Sequence, residues 1–437
     1  MVLRADHRAR RPPQAHEPTP FTDRLRCLFR RLGWSSWQTC ADGQCRKDNC
    51  SEAEVKMVAG ALQSNGMQKL GFEYVILDDC WAALERNASS GGLTWDTSRF
   101  PSGMPALAAW LHERQLKLGL YTSAGDVTCD SGGRSSTPPG TEHHDAVDAQ
   151  AFASWGVDYV KLDWCGDIKH NVLVGPKAHR DFAQAMNATG RPMVIEAVAG
   201  YLFLQRRVAS VANTWRFCTD HHDTWKSTVD EIMCRVDLDL GGSSAPGSWA
   251  HMDMLTTGGR GCVDHVHCPG QTDEEYKTEF ALWSLTQSPL IVSTDVRVLT
   301  DVMRTTLLNR ELISLHQRID TPPGKHLGGA SCGGFLHDCQ VWGRHMAADL
   351  SDWLVALVNF ADKPQRVSTD LSILGWPSNA TYTARDVWTG TNFSTSSKPL
   401  TASLATHATA IFRVTRVVTA ASGQPISGTT KAAETAQ

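Results

Sequence analysis

Short apolar runs recur along the first two thirds of the chain, each bounded by Gly, Asp or Pro. They are Leu32-Gly-Trp34, Tyr74-Val-Ile-Leu77, Leu118-Gly-Leu-Tyr121, Tyr159-Val-Lys-Leu162, Met193-Val-Ile195, Thr214-Trp-Arg-Phe217, Met252-Asp-Met-Leu255 and Leu290-Ile-Val292. Their length and their β-branched and aromatic content predict strands. The intervals carry a helical period instead. Ser51 followed by Glu54 has capping-box spacing and opens Val55, Val58, Ala59 and Leu62 on one face. A second amphipathic stretch runs from Pro105 to Leu116, with Leu107, Trp110 and Leu111 spaced for burial, and a third from Ala146 to Trp155. Eight strands alternating with helices predict a (β/α)8 TIM barrel. Beyond residue 320 the pattern changes to short strands separated by Gly, Pro, Asn and Ser: Cys339–Trp342, Trp353–Asn359, Thr381–Trp388 and Ala408–Val414. These predict a smaller C-terminal antiparallel β-sandwich. The expected organisation is a basic, disordered segment over 1–29, the barrel over 30–320, the sandwich over 321–416 and a disordered tail over 417–437.

Composition narrows the function. A chain of 437 residues can bury a large core, and a net charge of -4 gives no electrostatic case for nucleic acid or an anionic membrane as partner. No apolar run approaches the roughly 20 residues that span a bilayer. Fifteen tryptophans are many for this length; most are expected in the core, but their faces are also what sugars stack on. Thirteen cysteines, several close together in loop-like sequence, read as disulfide staples made in an oxidising compartment. Asn-x-Ser/Thr triplets at Asn49, Asn87, Asn187, Asn379 and Asn392 agree with secretory passage to an extracellular, vacuolar or lysosomal destination. Residues 1–31 hold no apolar stretch of leader length, so that expectation carries with it a leader absent from this sequence.

In a barrel every strand's C-terminal end points at the same mouth. Trp37, Asp78, Asp79, Tyr121, Lys161, Asp163, Glu196, Arg216, Asp220 and Asp253 lie at or just past such ends. Cleaving a glycosidic bond needs two carboxylates facing each other across a sugar, and Tyr159–Cys165 and Thr214–Asp223 each bring one. Lys161, two residues before Asp163 on the same strand face, is expected to hold that carboxylate ionised. His143-His144, His221-His222 and Cys262-Val-Asp-His265-Val-His267-Cys268 could be called metal ligands, but a disulfide-closed loop is the reading preferred for the last, and no metal or cofactor is expected. No Gly-rich phosphate loop and no Ser-His-Asp ordering stands out.

Leu32-Gly-Trp-Ser-Ser-Trp37, Tyr74 to Asp78-Asp79-Cys80-Trp81, Gly119-Leu-Tyr121 through Cys129, Asp148 to Gly156 leading to Lys161-Leu-Asp163, Trp215-Arg216 to Asp220, and Trp249 to Asp253-Met254 resemble, in order and spacing, the α-galactosidases of the melibiase family, glycoside hydrolase family 27. The resemblance covers about residues 30 to 415. It implies a retaining exo-glycosidase acting on terminal α-D-galactosyl residues, with Asp163 as nucleophile and Asp220 as acid/base, their carboxyls about 5 to 5.5 Å apart. Asp78 and Asp79 resemble the pair that grips the sugar's 4- and 6-hydroxyls, and Trp37 the stacking wall. Tyr121, Lys161, Arg216 and Asp253 match other sugar-contacting positions. The implied disulfides are Cys40 with Cys80, Cys45 with Cys50, and Cys129 with Cys165 beside the sugar. A further family disulfide after the fifth strand has no counterpart, Ala197 and Ala212 standing near its positions; Cys218 with Cys234 is an alternative pair and Cys27 is left over. The loop Val194-Ile-Glu196-Ala-Val-Ala-Gly-Tyr201 departs from the family's Cys-Glu-Trp type, which senses the sugar's 2-substituent, and His251-Met252 departs from its Asn-Asp-Pro run. Glu196 stands between replacing that glutamate from a shifted register and a plain structural role. The implied partner is an α-galactoside, alone or in an oligosaccharide, with no nucleic acid and no membrane span; a homodimer stays open. An α-N-acetylgalactosaminidase or β-L-arabinopyranosidase of the same family, or a galactoside-binding barrel without turnover, are the alternatives.

Overall fold

A computed structural model describes residues 32–38, 50–130, 136–169, 171–198, 205–237, 244–259, 269–332 and 338–417. Eight parallel strands form the first sheet: β1 (Leu32–Ser35), β2 (Phe72–Leu77), β3 (Lys117–Ser123), β4 (Tyr159–Asp163), β5 (Val194–Val198), β6 (Thr214–Arg216), β7 (Trp249–His251) and β8 (Leu290–Val292), in the order β7-β6-β5-β4-β3-β2-β1-β8. Helices α1 (Glu52–Ser64), α2 (Gly103–His112), α3 (Asp145–Trp155), α4 (Gly175–Ala188), α5 (Gln205–Ala209), α6 (Trp225–Asp237) and α7 (Asp273–Leu285) alternate with the strands, and α8 (Asp301–Leu307) and α9 (Arg310–His316) follow β8. This is the (β/α)8 barrel.

Two elements differ from the sequence reading. The seventh strand is Trp249–His251, not Met252–Leu255, because Asp253 sits at φ 64° and breaks the extended run. Leu255 nevertheless closes the barrel: it bridges Val292 in parallel, its N–H donating to the Ile291 carbonyl at 2.8 Å and its carbonyl accepting from Ser293 N at 2.8 Å. The second helix starts at Gly103 and stops at His112, short of Leu116, because Gln115 at φ 57° turns the chain into β3. The first helix opens as expected, with Ser51 Oγ accepting from Glu54 N at 3.3 Å, and Gly156 at φ 82° ends α3.

Strand parity decides what faces the lumen. On β2, β4, β5 and β6 the residues Val75, Leu77, Val160, Leu162, Ile195, Ala197 and Trp215 pack outward into the main core under the helices. Their neighbours Tyr74, Ile76, Tyr159 and Val194 form a separate inner cluster with Met254 and Ile291. Continuing that inner parity by two or four residues reaches Asp78, Lys161, Asp163, Glu196 and Val198, and on β6 the same alternation turns Arg216 inward. The lumen is tight where β1 meets β2: a Cβ on Gly33 would stand 2.7 Å from both the Cβ and the carbonyl oxygen of Tyr74.

The C-terminal unit is antiparallel. A six-stranded sheet, β14-β13-β16-β11-β10-β9, faces the two-stranded β12-β15. The strands are β9 (Lys325–His326), β10 (Cys339–His345), β11 (Asp352–Asn359), β12 (Gln365–Thr369), β13 (Tyr382–Asp386), β14 (Asn392–Ser396), β15 (Leu400–Leu404) and β16 (Thr409–Arg416). Val341, Trp353, Val355, Val367, Leu400 and Phe412 build its own core. It sits on the barrel through Thr278 Oγ1, which donates to the His407 carbonyl at 2.7 Å, through Arg385 on Glu311 at 2.9 Å, and through the Trp225 ring stacked on His407 at 4.4 Å. Among the described residues no helix is long and apolar enough to cross a membrane.

Gly33→Ala is expected to cost about 1 to 3 kcal/mol by forcing β1 away from β2. The urea midpoint measures it; an unchanged midpoint would mean that the two strands are free to separate there.

Candidate active site

The mouth gathers charged side chains from adjacent strands. Asp163 ends β4, and both its oxygens are held: Tyr121 Oη donates to Oδ2 at 3.0 Å, and the Trp164 backbone N–H to Oδ1 at 2.7 Å. Burial, with Asp163 and Asp79 nearby, pushes the Tyr121 hydroxyl well above its ordinary value, so it stays a donor. Asp78 and Asp79 follow β2. Asp78 takes the Asp79 N–H at 2.9 Å, while the Asp130 N–H closes on Asp79 Oδ2 at 2.7 Å. Burial pushes the Asp79 carboxyl up to about 7, against the pull of the Asp130 N–H, and the Asp78 charge adds to the rise.

Lys161 has its direct partner in a different acid from the one it was expected to hold ionised. Its ammonium, 2% exposed, donates to Asp78 Oδ2 at 2.7 Å, not to Asp163. The reason is register: Lys161 lies a full pleat below Asp163 and reaches across the lumen toward β2. Burial alone would lower its pKa, but Asp78, Glu196 and Asp163 together raise it above the ordinary lysine value. The Trp37 and Tyr121 rings each lie 5.3 Å from the ammonium. Glu196 pairs in register with Lys161 on β5 and has no exposed surface; its Oε2 accepts from Tyr159 Oη at 2.5 Å and burial raises its pKa.

Arg216 organises the other side. Its Nη2 donates to Asp220 Oδ1 at 2.6 Å and lies 3.3 Å from Asp253 Oδ2. The guanidinium holds Asp220, whose side chain is 59% exposed, down at about 2. Asp253 also accepts the His221 N–H at 2.8 Å. The left-handed turn at Asp253 therefore serves to aim its carboxylate back at Arg216 and the Asp220 loop.

Other sequence-level groups fall elsewhere. Cys129, Asp163 and Cys165 cluster closely enough to suggest a metal, but both sulfurs are joined to each other. Residues 199–204, with Tyr201, and the Cys262–Cys268 segment lie outside the described residues.

Comparison with known proteins settles the family. The sequence model described as alpha galactosidase A matches residues 30–318, and the one described as alpha galactosidase C-terminal beta sandwich domain matches 337–414. The chain belongs to the melibiase family, glycoside hydrolase family 27. An α-galactosidase of Cyamopsis tetragonoloba is 32% identical over 387 residues, covering 88% of this chain and 85% of that protein. An α-N-acetylgalactosaminidase of Gallus gallus is 34% identical over 378 residues, 82% and 86% of the two chains. A solved putative α-galactosidase/melibiase of Bacteroides fragilis superposes with a TM-score of 0.77 at 27% identity, over 87% of this chain and 78% of that one.

In this melibiase the staples partly differ from those the resemblance implied. Cys129–Cys165 forms and ties the β3 loop to the residue two after Asp163. Cys80, however, is bonded to Cys50, so the implied Cys40–Cys80 and Cys45–Cys50 pairs are not made. Cys50 immediately precedes the α1 cap and lies against the end of β2, a proximity that spacing in the sequence does not reveal. Cys27, Cys40 and Cys45 lie outside the described residues. Cys218–Cys234 and Cys332–Cys339 also form.

The supporting roles of three further residues were not read from the sequence. Glu279, on α7, accepts from Thr256 N at 2.7 Å, Thr256 Oγ1 at 2.9 Å and Thr257 Oγ1 at 2.7 Å, and so holds the turn that carries Asp253. Burial nevertheless pushes it up to about 8. His221 is pushed down to about 4 by burial and, neutral, puts Nδ1 against the Met254 carbonyl at 2.9 Å. Asp223, pushed up by burial, takes Tyr276 Oη at 2.7 Å and anchors the loop beyond Asp220. Each is one polar residue among many on a helix or loop, and no spacing marks it.

A carboxyl raised to about 7 favours its neutral form in the folded chain, so ionisation of Asp79 erodes stability as pH climbs from about 4 through 7. Asp79→Asn is expected to raise stability by up to about 4 kcal/mol near pH 8 and hardly at all near pH 3.5. Melting curves at the two pH values test this; equal shifts at both would show that Asp79 is not strained by its charge.

Proposed function

We propose that the chain is a retaining α-galactosidase that removes terminal α-D-galactosyl residues from oligosaccharides, glycolipids or polysaccharides by double displacement, with Asp163 as nucleophile and Asp220 as acid/base. The observation that carries this reading is the unequal treatment of the two carboxylates. Asp163 is fixed on both oxygens by a phenol and a backbone N–H, as an attacking group must be. Asp220 is exposed on a loop and is paired with the guanidinium of the buried Arg216.

In the first step an Asp163 oxygen bonds to the anomeric carbon as the glycosidic C–O bond breaks, and the leaving oxygen takes a proton from Asp220. An Asp220 held at about 2 is ionised at any ordinary pH. A bound sugar hydroxyl that engages Arg216 loosens the ion pair and lets the acid load its proton. In the second step the ionised form is the useful one: Asp220 takes a proton from water, whose oxygen displaces Asp163 with net retention. Asp78 and Asp79 receive the 4- and 6-hydroxyls and Trp37 stacks on the ring. Tyr121, Arg216 and Asp253 line the pocket, the Cys129–Cys165 disulfide floors it beside Asp163, and Glu196 acts from below as charge partner to Lys161. The staples, with sequons on exposed Asn87, Asn379 and Asn392, support passage through the secretory pathway.

Asp163→Asn is expected to lose about 10⁴-fold or more in turnover while still binding galactose. Asp220→Ala should spare activated nitrophenyl leaving groups relative to sugar ones and yield a β-glycosyl azide with azide. Near-normal turnover in the first variant, or equal damage across leaving groups in the second, overturns the corresponding role.

The Gallus gallus relative makes an acetamidosugar the competing substrate. On a panel of nitrophenyl glycosides we expect the α-galactoside to turn over faster than the α-N-acetylgalactosaminide and the β-L-arabinopyranoside. The α-glucoside should be rejected, because its equatorial 4-hydroxyl leaves buried carboxylate acceptors unpaired at about 1 to 3 kcal/mol each. Faster hydrolysis of the acetamidosugar would change the substrate and leave the mechanism standing.

A further inference from the structure

The sandwich carries a cleft of about 520 Å³ between the paired strands β12 and β15 and the β13-β14 end of the large sheet. Its two walls differ in chemistry. On β12 and β15, Val367, Thr369 and Leu400 are buried, whereas Arg366, Ser368 and Thr401 have the opposite parity and line the cleft. Ser368 and Thr401 are direct cross-strand partners, so their hydroxyls stand side by side. The facing wall is aromatic. Tyr382 and Phe412 are buried in its floor, and Phe393 stands edge-on to Phe412 at 6.0 Å with 46% of its surface exposed.

Charge completes the pattern. Arg366 and Lys398 line the cleft and no carboxylate does. Arg366 has no hydrogen bond or ion pair among the described residues. An exposed ring facing a pair of hydroxyls fits a sugar, which has an apolar face and a polar edge. An unengaged guanidinium at the rim fits a planar or tetrahedral anion on that sugar.

We propose that this cleft is a second, non-catalytic saccharide site that takes an anionic sugar unit, carboxylated or sulfated, of a polysaccharide or glycan. One ring stacks on Phe393, Ser368 and Thr401 meet its hydroxyls, and Arg366 pairs with its acid group. The site does not require the α-galactosidase reading, because its occupation involves no bond cleavage.

The test is calorimetric titration of the whole protein, with saturating galactose in the barrel, using a galacturonate tetramer, a sulfated galactose tetramer and a neutral galactose tetramer. One or both anionic probes should bind, more weakly as salt rises, and the neutral one at least about tenfold less well. Arg366→Gln and Phe393→Ala should each weaken anionic binding by about tenfold while nitrophenyl galactoside hydrolysis is unchanged. The two anionic arms identify the acid group. Absence of binding by both anionic probes, equal binding of the neutral one, or binding indifferent to both substitutions overturns the proposal.

Discussion

The lumen of the barrel is organised around one buried cation. Lys161 is almost wholly removed from water, and an ammonium there costs several kcal/mol unless carboxylates compensate it. Asp78 compensates by direct contact, Glu196 from the neighbouring strand and Asp163 from the rim above. The same cation keeps Asp78 from simple repulsion with Asp79. Removing any member leaves uncompensated charge in a confined space, so these residues act as one unit.

A second cation repeats the arrangement on the opposite side. Arg216 is fully buried between Asp253 and Asp220, and the loops bearing those acids are tied down by His221, Asp223 and Glu279. The two clusters differ in mobility. The Lys161 cluster is enclosed by strands, whereas the Arg216 cluster ends on an exposed carboxylate. The proposed mechanism uses that asymmetry, since in it one carboxylate holds still and the other exchanges protons with water.

How much was legible follows from which interactions are periodic. Strand parity is periodic, so Tyr74 to Asp78 and Tyr159 to Asp163 announced both the lumen and its rim, and the change of pattern beyond residue 320 announced the sandwich. What failed depended on single dihedrals or on packing. The positive φ of Asp253 displaced the seventh strand, Gln115 shortened a helix, and Cys80 found Cys50 because α1 brings it there. Lys161 was linked to Asp163, its neighbour in sequence, but its direct hydrogen bond goes to Asp78 on β2, with Asp163 acting on it through charge. The buried helper Glu279 gave no signal, because a polar residue on a helix declares neither its depth nor its partner, and His221 was noticed only as half of a His-His pair.

The stacking of Trp225 beneath His407 and Phe360 bears on whether the two halves of this chain are separable. Trp225 begins α6 just after the segment from Asp220 to Asp223, and both rings stacked on it come from the C-terminal unit. That unit therefore braces the helix that follows the Asp220 segment, while the Asp163 side is held by the strands and by the Cys129–Cys165 disulfide. Under the proposed roles, a barrel stripped of its sandwich would keep its strand-borne nucleophile and lose rigidity at the acid/base, which both steps of the exchange require. The accessory domain is in this sense part of the frame that carries one side of the barrel's mouth.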